Sequence, residues 1–132
     1  MSAVLDTHTV IWYLENSREL SATVRTRIED SVREARAVYV SAISLIETVY
    51  LVERRRITLT ALERLRAAFT DPSSGLSVAA VDAGVATALQ NIPRDIVPDM
   101  PDRIIAATAL HLRLPLATRD RRLQAAGIQI IW

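Results

Sequence analysis

No cysteine occurs among the 132 residues and no lysine either; all sixteen basic residues are arginine. Without cysteine there are no disulfides, no thiolate metal sites and no thiol nucleophile. Without lysine there is no P-loop, whose lysine reaches the phosphates, and a phosphoacceptor receiver domain, which sets a lysine near its aspartates, is disfavoured. Glycine is scarce, and Gly75, Gly84 and Gly127 do not form a dinucleotide-binding loop. The two histidines, His8 and His111, could build a zinc site only by recruiting carboxylates. Any bound metal must therefore rest on hard oxygen ligands, which points to Mg²⁺ or Mn²⁺. No apolar run is long enough to span a membrane, and the N-terminus lacks the basic flank and cleavage site of a signal peptide. A soluble, cytoplasmic protein with no membrane partner is expected.

What is present fits one globular domain over residues 1–132: half of the residues are hydrophobic, enough for a packed core. Short apolar runs alternate with helical patterns. Ala3-Val4-Leu5, Val38-Tyr39-Val40, residues 76–79, 115–118 and 128–131 read as strands. Residues 9–15, 21–35, 42–55, 59–69, 82–90 and 102–112 read as helices, the last nearly all apolar and so buried on most sides. This alternation predicts an α/β fold with a parallel sheet covered by helices on both faces. In such sheets, sites form beyond the carboxyl ends of the strands, where the strand order reverses.

Four carboxylates answer to that rule. Asp6 follows the first strand and Asp120 the fourth; Glu47 lies in the helix after the second strand, and Asp102 opens the buried helix. Each has a plain alternative. Asp6 and Asp102 suit helix caps, Asp120 suits a turn, and Glu47, set among Ile43, Leu45, Ile46, Val49 and Tyr50, could pair with an arginine. Taken together they say more. Several carboxylates in one crevice repel one another, and a divalent cation removes that cost while activating water and neutralising charge on a phosphoryl oxygen.

The residues around these acids resemble a known family. Val4-Leu5-Asp6-Thr7-His8-Thr9-Val10-Ile11-Trp12 is similar to the opening of PIN-domain toxins of the VapC kind, in the subgroup with Asp-Thr-His and a nearby tryptophan. Val40-Ser41-Ala42-Ile43-Ser44-Leu45-Ile46-Glu47 resembles the second acidic motif. The run from Asp99 through Asp102 to Ala109 resembles the third, and Leu116-Ala117-Thr118-Arg119-Asp120 the fourth. Four motifs in order, with residues 58–95 the least diagnostic, make the likeness specific. It implies a three-layer α/β/α sandwich with a five-stranded parallel sheet, and Mg²⁺- or Mn²⁺-dependent hydrolysis of RNA phosphodiester bonds. It implies a ribonuclease toxin of a type II toxin–antitoxin pair, with a small VapB-like antitoxin and a homodimer. It assigns the metal to Asp6, Glu47, Asp102 and Asp120, adds Asp99 as a further acid, and gives Thr118 a supporting role toward a ligand or water. Relatives often carry a basic residue just after the second acid; here positive charge is delayed to Arg54.

With the four acids set aside as metal ligands, the net charge of +1 becomes +5, which suits an RNA partner. Arg119, Arg121 and Arg122, around Asp120, and Arg103, beside Asp102, are the candidate RNA contacts; Arg103 could instead pair with an acid. Arg54-Arg55-Arg56 fits RNA or a solvated helix end equally. Trp12 could stack a base or fill the core, and His8 and His111 suit structural roles. Two rivals are a catalytically silent PIN-like module that binds RNA or protein, and a phosphatase of the haloacid-dehalogenase type. The second needs Asp-x-Asp after the first strand, where this chain has His8.

Overall fold

The structure, a computed structural model, describes residues 2–132. Five short strands, β1 (Val4–Leu5), β2 (Val38–Ser41), β3 (Leu76–Ala79), β4 (Leu116–Ala117) and β5 (Ile130–Ile131), form one parallel sheet in the order β3-β2-β1-β4-β5. Between them run α1 (Thr7–Leu14), α2 (Ala22–Arg33), α3 (Ala42–Glu53), α4 (Leu59–Thr70), α5 (Ala83–Leu89), α6 (Met100–Leu112) and α7 (Arg121–Gln124). The chain winds outward from β1 through β2 to β3, then returns to the other side of β1 with β4. The strand order therefore reverses between β1 and β4, the position where parallel sheets open a crevice.

Side-chain alternation along each strand divides the apolar residues between two cores, giving the three layers. Val4, Tyr39, Leu116 and Ile130 meet Ile105, Ala106 and Ala109 of α6, with Val85 and Ala88 of α5. Leu5, Val38, Val40, Ala117 and Ile131 meet Val10 of α1, Val24 and Ile28 of α2, and Leu65 and Ala68 of α4. Val4, Leu5, Val38, Val40 and Leu116 are fully buried; each such side chain contributes roughly 1.5–3 kcal/mol relative to exposure. Among the described residues no helix is long and apolar enough to cross a membrane.

All seven helices start on an oxygen-bearing cap: Asp6, Ser21, Ser41, Thr58, Asp82, Asp99 and Asp120. These side chains satisfy backbone N–H groups that have no partner within the helix. Several element ends differ from the sequence reading by a residue or two, α1 beginning at Thr7 rather than at residue 9, and two differences bear on the site. The helix expected from Asp102 begins earlier, at Met100, capped by Asp99, with Pro101 inside its first turn. The residues after Asp120 form α7, where the sequence suggested only a turn. The α4 segment, expected to present one apolar side, buries Ala61, Leu62, Leu65 and Ala68. Leu62 also joins Leu45, Ile46, Val49, Phe69 and Val78 along an open apolar groove.

Past the end of α2, Ala35 takes φ 56°, the left-handed conformation that a β-carbon disfavours. Its N–H donates to Val32 O and that of Arg36 to Ser31 O, closing the helix end. Ala35 is exposed, so removing its methyl costs little packing. Ala35→Gly is expected to stabilise the protein by about 0.5–1 kcal/mol, read as a higher urea midpoint at unchanged slope. A lower midpoint would refute this.

Candidate active site

The carboxyl end of β1 runs directly into α1, and Asp6 sits at the junction. One carboxylate oxygen, Oδ1, accepts from the Thr9 N–H at 2.9 Å and caps α1. The other, Oδ2, accepts a hydrogen bond from Thr118 Oγ1 across the β1–β4 boundary. Thr118 is fully buried, and its hydroxyl also accepts from the Asp120 N–H at 3.0 Å. One threonine thus fixes the acid after β1 and the backbone of the acid after β4. Asp120 in turn caps α7 through the Arg122 N–H at 2.8 Å.

Glu47 projects from the middle of α3. Thr7 Oγ1 donates to its Oε1 at 2.6 Å. Thr7 Oγ1 also lies 2.9 Å from Ser44 Oγ. Since the threonine proton is committed to the carboxylate, which can only accept, Ser44 supplies the proton of the second bond. The two hydroxyls, both buried, hold the glutamate in place. Burial raises the Glu47 pKa above its ordinary value; the Thr7 hydrogen bond opposes this, Asp99 adds to it, His8 opposes it and Asp6 adds to it.

Asp102 lies in the first turn of α6. Burial, followed by the charges of Asp99, Glu47, Asp120 and Asp6, raises its pKa to about 7. Every one of these influences acts in the same direction. Asp99 is exposed at the cap, accepting from the Asp102 N–H at 3.4 Å. Carboxylate oxygens of Glu47, Asp99 and Asp102 lie within 4.8 Å of one another. The sequence placed Asp99 on the margin of the site, yet here it stands in the closest group. Asp6 and Asp120 act on the same centre through their charges.

This donor set fits a divalent cation. It offers only carboxylate oxygen, the ligand that Mg²⁺ and Mn²⁺ prefer, and its crowding leaves Asp102 partly protonated at neutral pH for want of positive charge.

The basic candidates separate. Arg103 donates from Nε to Ile92 O at 3.1 Å and from a terminal nitrogen to Leu89 O at 3.2 Å. Those bonds tie α6 to the end of α5 and the turn after it, and among the described residues Arg103 pairs with no acid. Arg119 stacks over Trp12, with its guanidinium carbon 4.5 Å from the ring centroid, and pairs with Glu19 at 2.5 Å. Arg121 and Arg122 lie on α7 and are exposed. His111, also exposed, covers Gly84: a β-carbon there would come within 2.4 Å of its ring. The hydroxyl supports Thr7 and Ser44 were missed by the sequence reading. Thr7 adjoins Asp6, but nothing in the pattern links it to position 47.

A parallel sheet whose reversal point gathers carboxylates from four separate segments is the architecture of a PIN domain, and the PIN domain family model matches residues 3–129. The chain belongs to the PIN domain family. Among curated relatives, Ribonuclease VapC22 of Mycobacterium tuberculosis is 29% identical over 129 residues, covering 94% of this chain and 91% of that protein. Among solved structures, VapBC2 from Rickettsia felis bound to a promoter DNA fragment superposes with a TM-score of 0.72 at 15% identity, covering 100% of this chain and 98% of that one. DNA-bound VapBC from Salmonella typhimurium gives a TM-score of 0.67 at 24% identity, covering 99% and 98%. These two likenesses bear out the three-layer fold.

Proposed function

We propose that this protein is a metal-dependent ribonuclease that hydrolyses RNA phosphodiester bonds, the toxin of a type II toxin–antitoxin pair. The observation that carries the reading is the convergence of Glu47, Asp99 and Asp102 within 4.8 Å, with Asp6 and Asp120 acting on the same centre. Family membership and the likeness to Ribonuclease VapC22 support it. Asp6, Glu47, Asp102 and Asp120 hold Mg²⁺ or Mn²⁺, and Asp99 joins them. The bound cation supplies charge neutralisation at a phosphoryl oxygen and a lowered pKa for water.

The chain's own groups set the geometry. Thr118 fixes one oxygen of Asp6 and the α1 backbone fixes the other, so that carboxylate is aimed before any ligand arrives. Thr7 and Ser44 do the same for Glu47. Arg119, Arg121 and Arg122 border Asp120 in sequence and provide positive charge for the RNA backbone. The whole chain acts as one domain, cytoplasmic, pairing with a second copy and silenced by a small VapB-like antitoxin. The antitoxin is suggested by the VapBC complexes that contain a chain of the same fold as this protein.

Purified protein freed of any copurified partner is expected to cut a pool of cellular RNA in Mg²⁺ or Mn²⁺ and to stop in EDTA. Asp6→Asn should abolish cutting. Thr118→Val, which keeps the side-chain shape but removes the hydroxyl, should lower the rate about 10- to 100-fold, the usual effect of losing a group that orients a metal ligand. Full activity in EDTA, or in Asp6→Asn, would overturn the metal reading. No cleavage by folded wild-type protein would turn the assignment toward a silent binding module.

A further inference from the structure

Beside the acids lies a second feature that the hydrolytic reading does not use. A cavity of about 400 Å³ is lined by His8, Trp12, Arg119 and Asp120. Its size falls within the roughly 300–1,000 Å³ of small-ligand pockets. Asp120 is also one of the acids acting on Asp102, so the cavity opens from the candidate active site itself. Trp12 is half-buried, and the edge of Trp132 braces it at a ring separation of 6.0 Å. His8 stands one helical turn earlier on α1, exposed, its ring 5.7 Å from that of Trp12. Arg119 lies over the Trp12 ring and is held there by Glu19.

We infer that this cavity is a nucleobase subsite that seats one unpaired base of single-stranded RNA beside the bond to be cut, with Trp12 as its stacking surface. The inference rests on the ribonuclease reading and deepens it. An aromatic ring fixed by a second tryptophan is a rigid surface. A base stacked on it, worth about 1–3 kcal/mol, displaces the exposed Arg119 guanidinium now lying there, a contact worth about 0.5–1 kcal/mol. Stacking of this kind accepts any base with a bias set by ring size. A base held in a duplex has no free face to offer, so pairing should exclude RNA from the subsite. The His8 ring and the Arg119 guanidinium, at the rim, can donate to base edges or to the adjoining phosphate. The Glu19 carboxylate keeps the Arg119 cation beside the ring, within reach of the adjoining phosphate once a base takes its place.

Two readouts test this. In Trp132→Phe, Trp12 is the remaining tryptophan, and an unpaired octa-adenylate should quench its fluorescence while the same strand annealed to its complement should not. In steady-state cleavage of a single-stranded oligonucleotide, Trp12→Ala should raise KM about tenfold or more with a much smaller change in kcat. It should also flatten the base preference at one position next to the cut. Trp12→Phe should restore most of both. Because Trp12 also packs on the core, His8→Ala and Arg119→Ala, at exposed positions, repeat the test should Trp12→Ala fail to fold; each should shift the base preference. If wild-type protein cuts RNA while all these variants keep its KM and cut-site composition, the subsite is refuted and the nuclease stands. If wild-type protein cuts nothing, the nuclease reading fails, and the fluorescence decides the subsite: quenching by the unpaired strand supports it, and its absence overturns it.

Discussion

Asp102→Asn is expected to abolish RNA cleavage and, in metal-free protein at pH 8, to raise stability. Its carboxyl titrates at about 7 in the folded chain against 3.8 ordinarily. The folded state therefore binds this proton more tightly than the unfolded state does. The associated stability is complete below pH 3.8 and lost as pH rises to about 7; above that the folded protein carries the full burden of the extra charge. At face value the shift is worth roughly 4 kcal/mol, but Asp102 is only half-buried, and solvent screening reduces this to about 1–2 kcal/mol. Asparagine resembles the protonated acid at every pH. Wild type and variant should thus melt together near pH 4, and the variant should melt about 3–8 °C higher at pH 8. Parallel melting curves across that range, or a variant less stable at pH 8, would show that the acids do not crowd one another. Restored cleavage in the variant would remove Asp102 from the proposed metal ligands.

The second large effect concerns the cation. Saturating Mn²⁺ should stabilise the wild-type protein by about 2.7 kcal/mol at one hundred times Kd, and the gain should be nearly absent in Asp102→Asn. Metal binding must displace the Asp102 proton. Affinity should therefore weaken about fivefold as pH falls from 7 to 6, beyond any loss seen at less perturbed acids. Calorimetry at pH 6 in buffers of different ionisation heats should register about one proton released per ion bound. A pH-independent affinity between 6 and 8 would mean that the cation, if bound, sits away from Asp102. The two experiments oppose each other usefully: the substitution that relieves repulsion removes the means of relieving it with metal, a trade of stability against activity seen where charge is concentrated for function.

Much of this site was legible in the chain. The strands announced themselves by apolar runs, and the rule that sites lie past strand ends pointed to Asp6 and Asp120 without any structure. Glu47 was conspicuous because its neighbours are apolar. Asp99 was undervalued for a local reason: the helix was expected to open at Asp102, which leaves Pro101 outside it, whereas proline fits within a first turn, where its missing N–H has no intrahelical partner. That moved the cap to Asp99 and carried Asp102 inward. The α7 helix, four residues long, is too short to display a period, so only its cap, Asp120, could mark it. Thr118 was marked as a support by the resemblance, but what it and Arg103 bind was opaque for a different reason. Their partners, the carbonyls of Leu89 and Ile92 and the carboxylate of Asp6, are chosen by how layers stack, and no spacing along the chain encodes that.

The hydrogen bond between Thr118 and Asp6 joins residues 112 apart, and β4 enters the sheet beside β1 only after β2 and β3 have been made. A nascent chain that has emerged as far as β3 carries Asp6 and Glu47 but neither Asp99, Asp102 nor Asp120. Pairings of such long sequence separation also close late in folding, since the entropy of the intervening loop must be overcome first. Synthesis and folding order therefore impose a delay: while it is still being translated, the polypeptide holds half an acidic crevice, and the ribosome that makes it is not yet exposed to the finished one.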